Sequence, residues 1–246
     1  MNSSPAHSPS VLFDLDGTLV DSEPNAYESA RLLLERHGVA DFTWEQNARF
    51  LGIGNREALT VLRAEYGIEA CVDELVAGQD AIYLQLAGTS TEAFPQMREF
   101  VKLLHTRGVP MAVASGSSPA AIEAVLKSTG LDAYLTEYVS AEEVANGKPE
   151  PDVFLEAARR LGVTPADCVV VEDAVPGAAA ARAAGMRCIA VPYVEATAGD
   201  PVFTAAGLLF PGGQGEFTAE VAYGWLFPGS GPTPPGGRPE AARRIS

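Results

Sequence analysis

Val11-Leu12-Phe13-Asp14-Leu15-Asp16-Gly17-Thr18-Leu19-Val20 is the stretch on which the reading of this chain turns. Three apolar residues run into two carboxylates two places apart, and Gly17-Thr18 follows. If Val11 to Phe13 form a buried strand, the two-residue period brings Asp14 and Asp16 out on the same side at the strand's carboxyl end. Gly17 lets the backbone turn there without steric penalty. Two crowded acids repel unless a cation lies between them, and the carboxyl edge of an open α/β sheet is where ligands bind. The pair fits a metal site, a nucleophile with its acid/base partner, or both; the plain alternative is a strand followed by a polar turn.

Working outward, the 246 residues suffice for one substantial core with a smaller satellite. An apolar fraction of 47% and a charged fraction of 20% suit an ordinary soluble globular protein. The net charge of -15 argues against nucleic acid or an anionic membrane as partner, and makes phosphate binding hard unless a cation offsets it locally. No apolar run approaches a membrane span, and residues 1–10 lack the basic and apolar regions of a signal peptide. Cys71, Cys168 and Cys188 have no metal-type spacing, and Cys168 and Cys188 adjoin apolar runs, so buried reduced thiols and a cytoplasmic location are expected. Nothing marks an oligomerisation surface, and a monomer is the default.

Residues 22–88 read as mostly helical, with apolar side chains at helical spacing through Ala26-Tyr27-Glu28-Ser29-Ala30-Arg31-Leu32-Leu33-Leu34-Glu35. A return segment is expected over 88–95 and a helix over 97–106. From there strands and helices alternate: strand 109–115, helix 119–129, helix 152–161, strand 168–171, helix 176–184 and strand 187–191. Such alternation marks a parallel sheet wound with helices. The expected architecture is an α/β, Rossmann-like core of residues 1–19 and 92–227, with a small α-helical cap, residues 20–91, inserted after the first strand. Residues 228–246, dense in Pro and Gly, read as a disordered tail.

Three further clusters follow apolar runs. Ser115-Gly116-Ser117-Ser118 offers a hydroxyl and free backbone N–H groups at a helix start, either a small anion cradle or an ordinary turn. Asn146-Gly147-Lys148-Pro149 carries one of three lysines (the others are Lys102 and Lys127), placed to hold a phosphate as a point charge or simply solvated in a loop. Val169-Val170-Val171-Glu172-Asp173 sends a second pair of acids off a buried strand. One such pair is usually a helix cap; two pairs on neighbouring strands call for a hard divalent cation such as Mg²⁺.

In order and spacing these four clusters resemble the haloacid dehalogenase superfamily of phosphohydrolases, in the helical-cap branch of β-phosphoglucomutase and the sugar-phosphate phosphatases. The likeness runs from Val11 to about Pro192, and the segment from Asp14 to Glu23 is close to the family's first motif. The resemblance implies that Asp14 is the nucleophile that becomes an aspartyl phosphate. It implies that Asp16 protonates the leaving oxygen and then activates water. Ser115, Gly116, Ser117 and Lys148 would hold phosphoryl oxygens. Asp14, the Asp16 backbone carbonyl and Asp173 would bind Mg²⁺, with Glu172 ligating directly or through a neighbour.

The relatives divide by residues. Dehalogenases do not need the second acid, so Asp16 favours phosphoryl chemistry. Phosphonate cleavage uses a cap lysine, and no lysine precedes Lys102. The mutases carry a cap His where this chain has Ala26, a Lys before Gly where it has Leu51-Gly52, and Lys-Asn where it has Ser118-Pro119. The expectation is a Mg²⁺-dependent phosphatase acting on a small sugar, polyol or glycolate phosphate. A phosphosugar mutase and a catalytically silent phosphate-binding protein are the alternatives. Specificity is expected in the cap, with Arg49, Asn55 and Arg56 as candidate substrate contacts beside Tyr27. Trp44 and Phe50 are expected in the cap core, with hinges near Val20-Asp21 and over 88–91.

Overall fold

The computed structural model describes residues 9–50 and 53–229 of the chain. In chain order the elements are β1 Ser10–Phe13, β2 Val20–Asp21, α1 Glu23–Arg36, α2 Trp44–Ala48, α3 Asn55–Tyr66, α4 Val72–Ser90, β3 Glu92–Ala93, α5 Pro95–Thr106, β4 Met111–Ser115, α6 Pro119–Thr129, β5 Tyr138–Ser140, α7 Asp152–Leu161, β6 Cys168–Glu172, α8 Val175–Ala183, β7 Arg187–Ala190, α9 Pro201–Thr204, β8 Leu208–Leu209 and α10 Ala219–Leu226.

Six strands form one parallel sheet in the order β5-β4-β1-β6-β7-β8. The chain leaves β1 for β4 and β5 on one side and returns to β6 on the other, so β1 stands at the point where the winding reverses. Crevices for ligands open at such points. The central strands read as unbroken apolar runs because both sheet faces are covered. Val11 and Phe13 face a core shared with α5, α6 and α10, while Leu12 faces the opposite core under α7, α8 and α9. Side chains on alternate faces of a pleated strand produce this partition.

The cap holds α1 to α4 and has its own apolar cluster, including Leu33, Leu34, Phe42, Leu59, Leu62, Leu75 and Ile82. It joins the sheet domain through the antiparallel pair of β2 and β3, Val20 opposite Ala93. Two expectations need correction here. The segment 88–95 does not begin as a return segment, since α4 continues through Ser90. Burial of Ala87 in the sheet-domain core, and the Ser128 hydroxyl donating to the Ala87 carbonyl at 3.0 Å, keep this end helical despite Gly88. Trp44 is 40% exposed rather than in the cap core, because α2 is a short surface helix whose indole packs edge-on against Tyr27. Phe50 does pack against the cap cluster.

Cys168 and Cys188 are buried free thiols and Cys71 is exposed. No helix among the described residues is long and apolar enough to cross a membrane. The readings of residues 1–8, of Leu51-Gly52 and of the tail from 230 onward lie outside the described residues.

Candidate active site

The register of the sheet assembles the site. Phe13 lies opposite Val113 on β4 and Val171 on β6, so the residues just beyond, Asp14, Ser115 and Glu172, converge at one edge. The Asp14 N–H donates to the Val171 carbonyl at 3.0 Å, which continues the strand pairing by one residue and fixes where the carboxylate leaves the sheet. Gly17 then turns the chain with φ +81°, and a Cβ there would run into the Asp173 carboxylate. The Thr18 hydroxyl donates to Asp173 Oδ1 at 2.9 Å, tying the two acidic loops together.

Lys148 enters from the loop before α7. Its ammonium donates to Asp14 Oδ1 at 2.5 Å and to Glu172 Oε1 at 2.6 Å. The other Glu172 oxygen accepts the backbone N–H groups of Asp173 and Ala174, both at 3.0 Å. A Cβ on Gly177 would collide with this carboxylate, so the start of α8 can lie against it only because that residue is glycine. Glu172 is 1% exposed and both its oxygens are engaged. Glu172 thus holds Lys148 beside Asp14, the contact its two engaged oxygens make here.

Asp16 occupies the expected anion cradle. Its Oδ2 accepts the Ser117 hydroxyl at 2.6 Å and the Ser115 hydroxyl at 3.3 Å, while the Ser117 N–H donates to Ser115 Oγ at 3.0 Å. Ser118 caps α6 by accepting the Ala121 N–H. On its other side Asp16 Oδ1 accepts the Tyr83 hydroxyl at 2.8 Å. Tyr83 belongs to the cap and was not singled out in the sequence. It lies 67 positions away, in a helix whose apolar spacing reads as packing.

Asp14, Asp16, Ser117, Lys148, Glu172 and Asp173 form the floor of a cavity of about 790 Å³, with Ser115 buried beneath it, roofed by cap residues that include Ala26, Asn47, Phe50, Asn55, Arg56, Gln79 and Asp80. Asn55 donates to Asp80 at 3.4 Å. Arg56 lines the cavity but pairs with Asp73 at 2.6 Å near solvent. Arg49, expected at the substrate, does not line it; its guanidinium pairs with Glu65 and lies over the Phe50 ring.

The electrostatics are those of crowded acids. Burial pushes the Asp14 carboxyl up to about 7; Lys148 pulls against this, and the charges of Glu172 and Asp16 add to the rise. Asp173 is driven well above the usual carboxylate range by burial, then by Glu172 and Asp14. Burial disfavours the Lys148 charge, but Asp14 and Glu172 more than offset it and hold its pKa above the ordinary lysine value. One ammonium for this many carboxylates leaves an excess of negative charge that a divalent cation would relieve. No group of three or more His, Cys, Asp or Glu side chains among the described residues is gathered for a metal. Asp14 and Asp173 line the same floor, and a set of one or two carboxylates completed by water suits Mg²⁺.

A family model described as haloacid dehalogenase-like hydrolase matches residues 10–185. The chain belongs to this family. Among its relatives in the haloacid dehalogenase-like hydrolases, hexitol phosphatase A of Escherichia coli (strain K12) is 40% identical, the match covering 73% of this chain and 81% of that protein. Fructose-1-phosphate phosphatase YqaB of the same strain is 36% identical over 74% of this chain and 95% of its own length. The bifunctional riboflavin kinase/FMN phosphatase of Arabidopsis thaliana is also 36% identical over 74% of this chain, but the match spans only 48% of that longer protein. The chain spans 17% of another curated relative. Among solved structures, the putative β-phosphoglucomutase from Thermotoga maritima superposes with a TM-score of 0.67 and 26% identity, over 82% of this chain and 94% of that one.

Proposed function

We propose that this protein is a Mg²⁺-dependent phosphatase that hydrolyses small sugar or polyol phosphates through a phosphoryl group carried on Asp14. The observation that carries the reading is the cavity floor. A buried carboxylate, Asp14, lies 2.5 Å from an ammonium, next to a cradle of hydroxyls from Ser115 and Ser117 that reach the Asp16 carboxyl group. A phosphoryl group entering the cradle takes over the Ser115 and Ser117 donors, with Lys148 at its flank. The Asp14 carboxylate attacks phosphorus and the bond to the ester oxygen breaks, that oxygen taking the proton that Asp16, entering this step as the carboxylic acid, carries. Water then attacks the same phosphorus and gives its proton to Asp16. The bond to Asp14 breaks, releasing phosphate and restoring the carboxylate. Mg²⁺ held by Asp14, Asp173 and the Asp16 carbonyl would offset charge developing on the phosphoryl oxygens.

The cavity lining favours hydrolysis of a monoester over a mutase reaction. Holding a second phosphate takes a spare cation. Among the described lining residues the basic side chains are Lys148 and Arg56, both already paired, while Glu23, Asp80 and Glu142 line the same space. Carboxylates and the amides of Asn47, Asn55 and Gln79 suit hydroxyl groups, so the fitting remainder is an uncharged polyol rather than glycolate or a second phosphate. Names of relatives such as hexitol phosphatase A support the same class.

The experiment is phosphate release from a panel of hexitol, sugar and glycolate phosphates, with Mg²⁺ or EDTA, beside Asp14→Asn. We expect release to need both the metal and Asp14, the substitution costing about a thousandfold or more. Isomerisation of sugar phosphates without release, or no turnover of any ester, would overturn the reading.

A further inference from the structure

Among the described residues, Asp16 is the one acidic group at the floor whose two oxygens are held by different domains. Its Oδ2 rests on the hydroxyls of Ser115 and Ser117 in the sheet domain, while its Oδ1 accepts the hydroxyl of Tyr83 from α4 of the cap. Helix α4 packs against α1 of the cap and α6 of the sheet domain, and the Ser128 hydroxyl grips its Ala87 carbonyl at 3.0 Å. The Tyr83 ring packs against the sheet-domain core, so its hydroxyl is aimed from a fixed base.

We propose that Tyr83 is a positioning residue that aims Asp16 at the leaving oxygen, so that acid/base competence depends on the cap being seated on the sheet domain. This rests on the phosphatase reading above. When a phosphoryl group enters the cradle it needs Ser115 and Ser117 for its own oxygens, and Asp16 loses the hydroxyls on Oδ2. The Tyr83 bond on Oδ1 is the hydrogen bond that survives the exchange. It keeps the carboxyl group from swinging among rotamers at the moment its proton is needed, while the freed oxygen faces the ester. If the cap lifts, Tyr83 leaves and Asp16 is no longer aimed. Proton delivery is thereby tied to the state that also excludes bulk water.

The test separates proton delivery from mere packing. Tyr83→Phe keeps the ring and removes only the hydroxyl. Its kcat/KM, which reports the first chemical step, is measured on a hexitol phosphate, whose alkoxide must be protonated as it leaves. It is also measured on p-nitrophenyl phosphate, whose leaving group needs no proton. We expect the alkyl ester to lose about tenfold more than the aryl ester, in the same direction as a larger selective loss in Asp16→Asn. In the double variant Tyr83→Phe should add less than about twofold to Asp16→Asn, because Tyr83 acts through Asp16. Equal losses on the two esters, no loss on either, or full additivity with Asp16→Asn would overturn the inference while leaving the phosphatase reading intact. An unsubstituted protein inactive on both esters would overturn both.

Discussion

The floor of the cavity and its roof are built from the same kinds of side chain in opposite settings. At the floor, Lys148, Asp14 and Glu172 form ion pairs whose members are 13%, 10% and 1% exposed, set on adjoining strands and a loop that cannot shift independently. In the roof, Arg56 and Asp73 also pair, yet they are 64% and 78% exposed. A pair at the floor is strong because little solvent screens it, and costly to break for the same reason; a pair in the roof is screened and contributes little to stability. In the proposed enzyme the reacting groups then sit where geometry is rigid, and the groups that read the rest of the substrate sit where replacement disturbs little.

Three substitutions probe that contrast, running from floor to roof. Lys148→Ala should have the largest effect, because it strands two buried carboxylates. Denaturant unfolding should record a loss of about 3 kcal/mol or more, together with loss of phosphate release. A change below 1 kcal/mol would mean that water reaches the floor and would remove the contrast. At the junction of the domains, Glu23 is half-buried, and burial with the charges of Asp16 and Asp21 raises its carboxyl to about 7. From its unfolded value of 4.5 up to about 7 the native state therefore binds the extra proton. Stability falls as pH rises through that window, and the deficit persists above it. Glu23→Gln should accordingly be more stable than the parent at pH 8 by about 1 kcal/mol, allowing for the water that reaches this side chain, and equal to it near pH 4. A pH-independent difference would assign the effect to packing. Smallest of all, Arg56→Ala should change stability by no more than about 0.5 kcal/mol. A shift in KM for one ester alone would sharpen the comparison by marking the roof as the place of selection.

The legible part of the molecule was the part whose chemistry is local. Helices α6 and α7 begin and end where Pro119, Gly130, Asp152 and Gly162 place their boundaries, since caps and breakers act within a few residues. The strands β1, β4, β6 and β7 announce themselves as apolar runs too continuous for anything but a covered sheet. Strands β5 and β8 did not, being three and two residues long and stabilised by their neighbours rather than by their own pattern. Helix α10 follows a Gly-rich loop and earned no reading beforehand, although its Tyr223 and Leu226 close the core against α5. Arg49 looked available because a sequence displays a charge without its partner; Glu65, 16 positions on, takes it.

By itself, the sequence determined the fold class, the inserted cap and the residue types at the sheet edge. Each of these follows from periodicity, from turn chemistry, or from an acid placed directly after a buried strand. What those residues do to one another depends on how the sheet and the cap pack. That packing set Glu172 against Lys148, put the Asp16 carboxyl group among the hydroxyls of Ser115 and Ser117, and brought Tyr83 to its other oxygen. The physical reason is that a hydrogen bond or a buried charge is governed by distances of a few ångströms between groups many positions apart. No local pattern encodes such a distance until the sheet and the cap have packed.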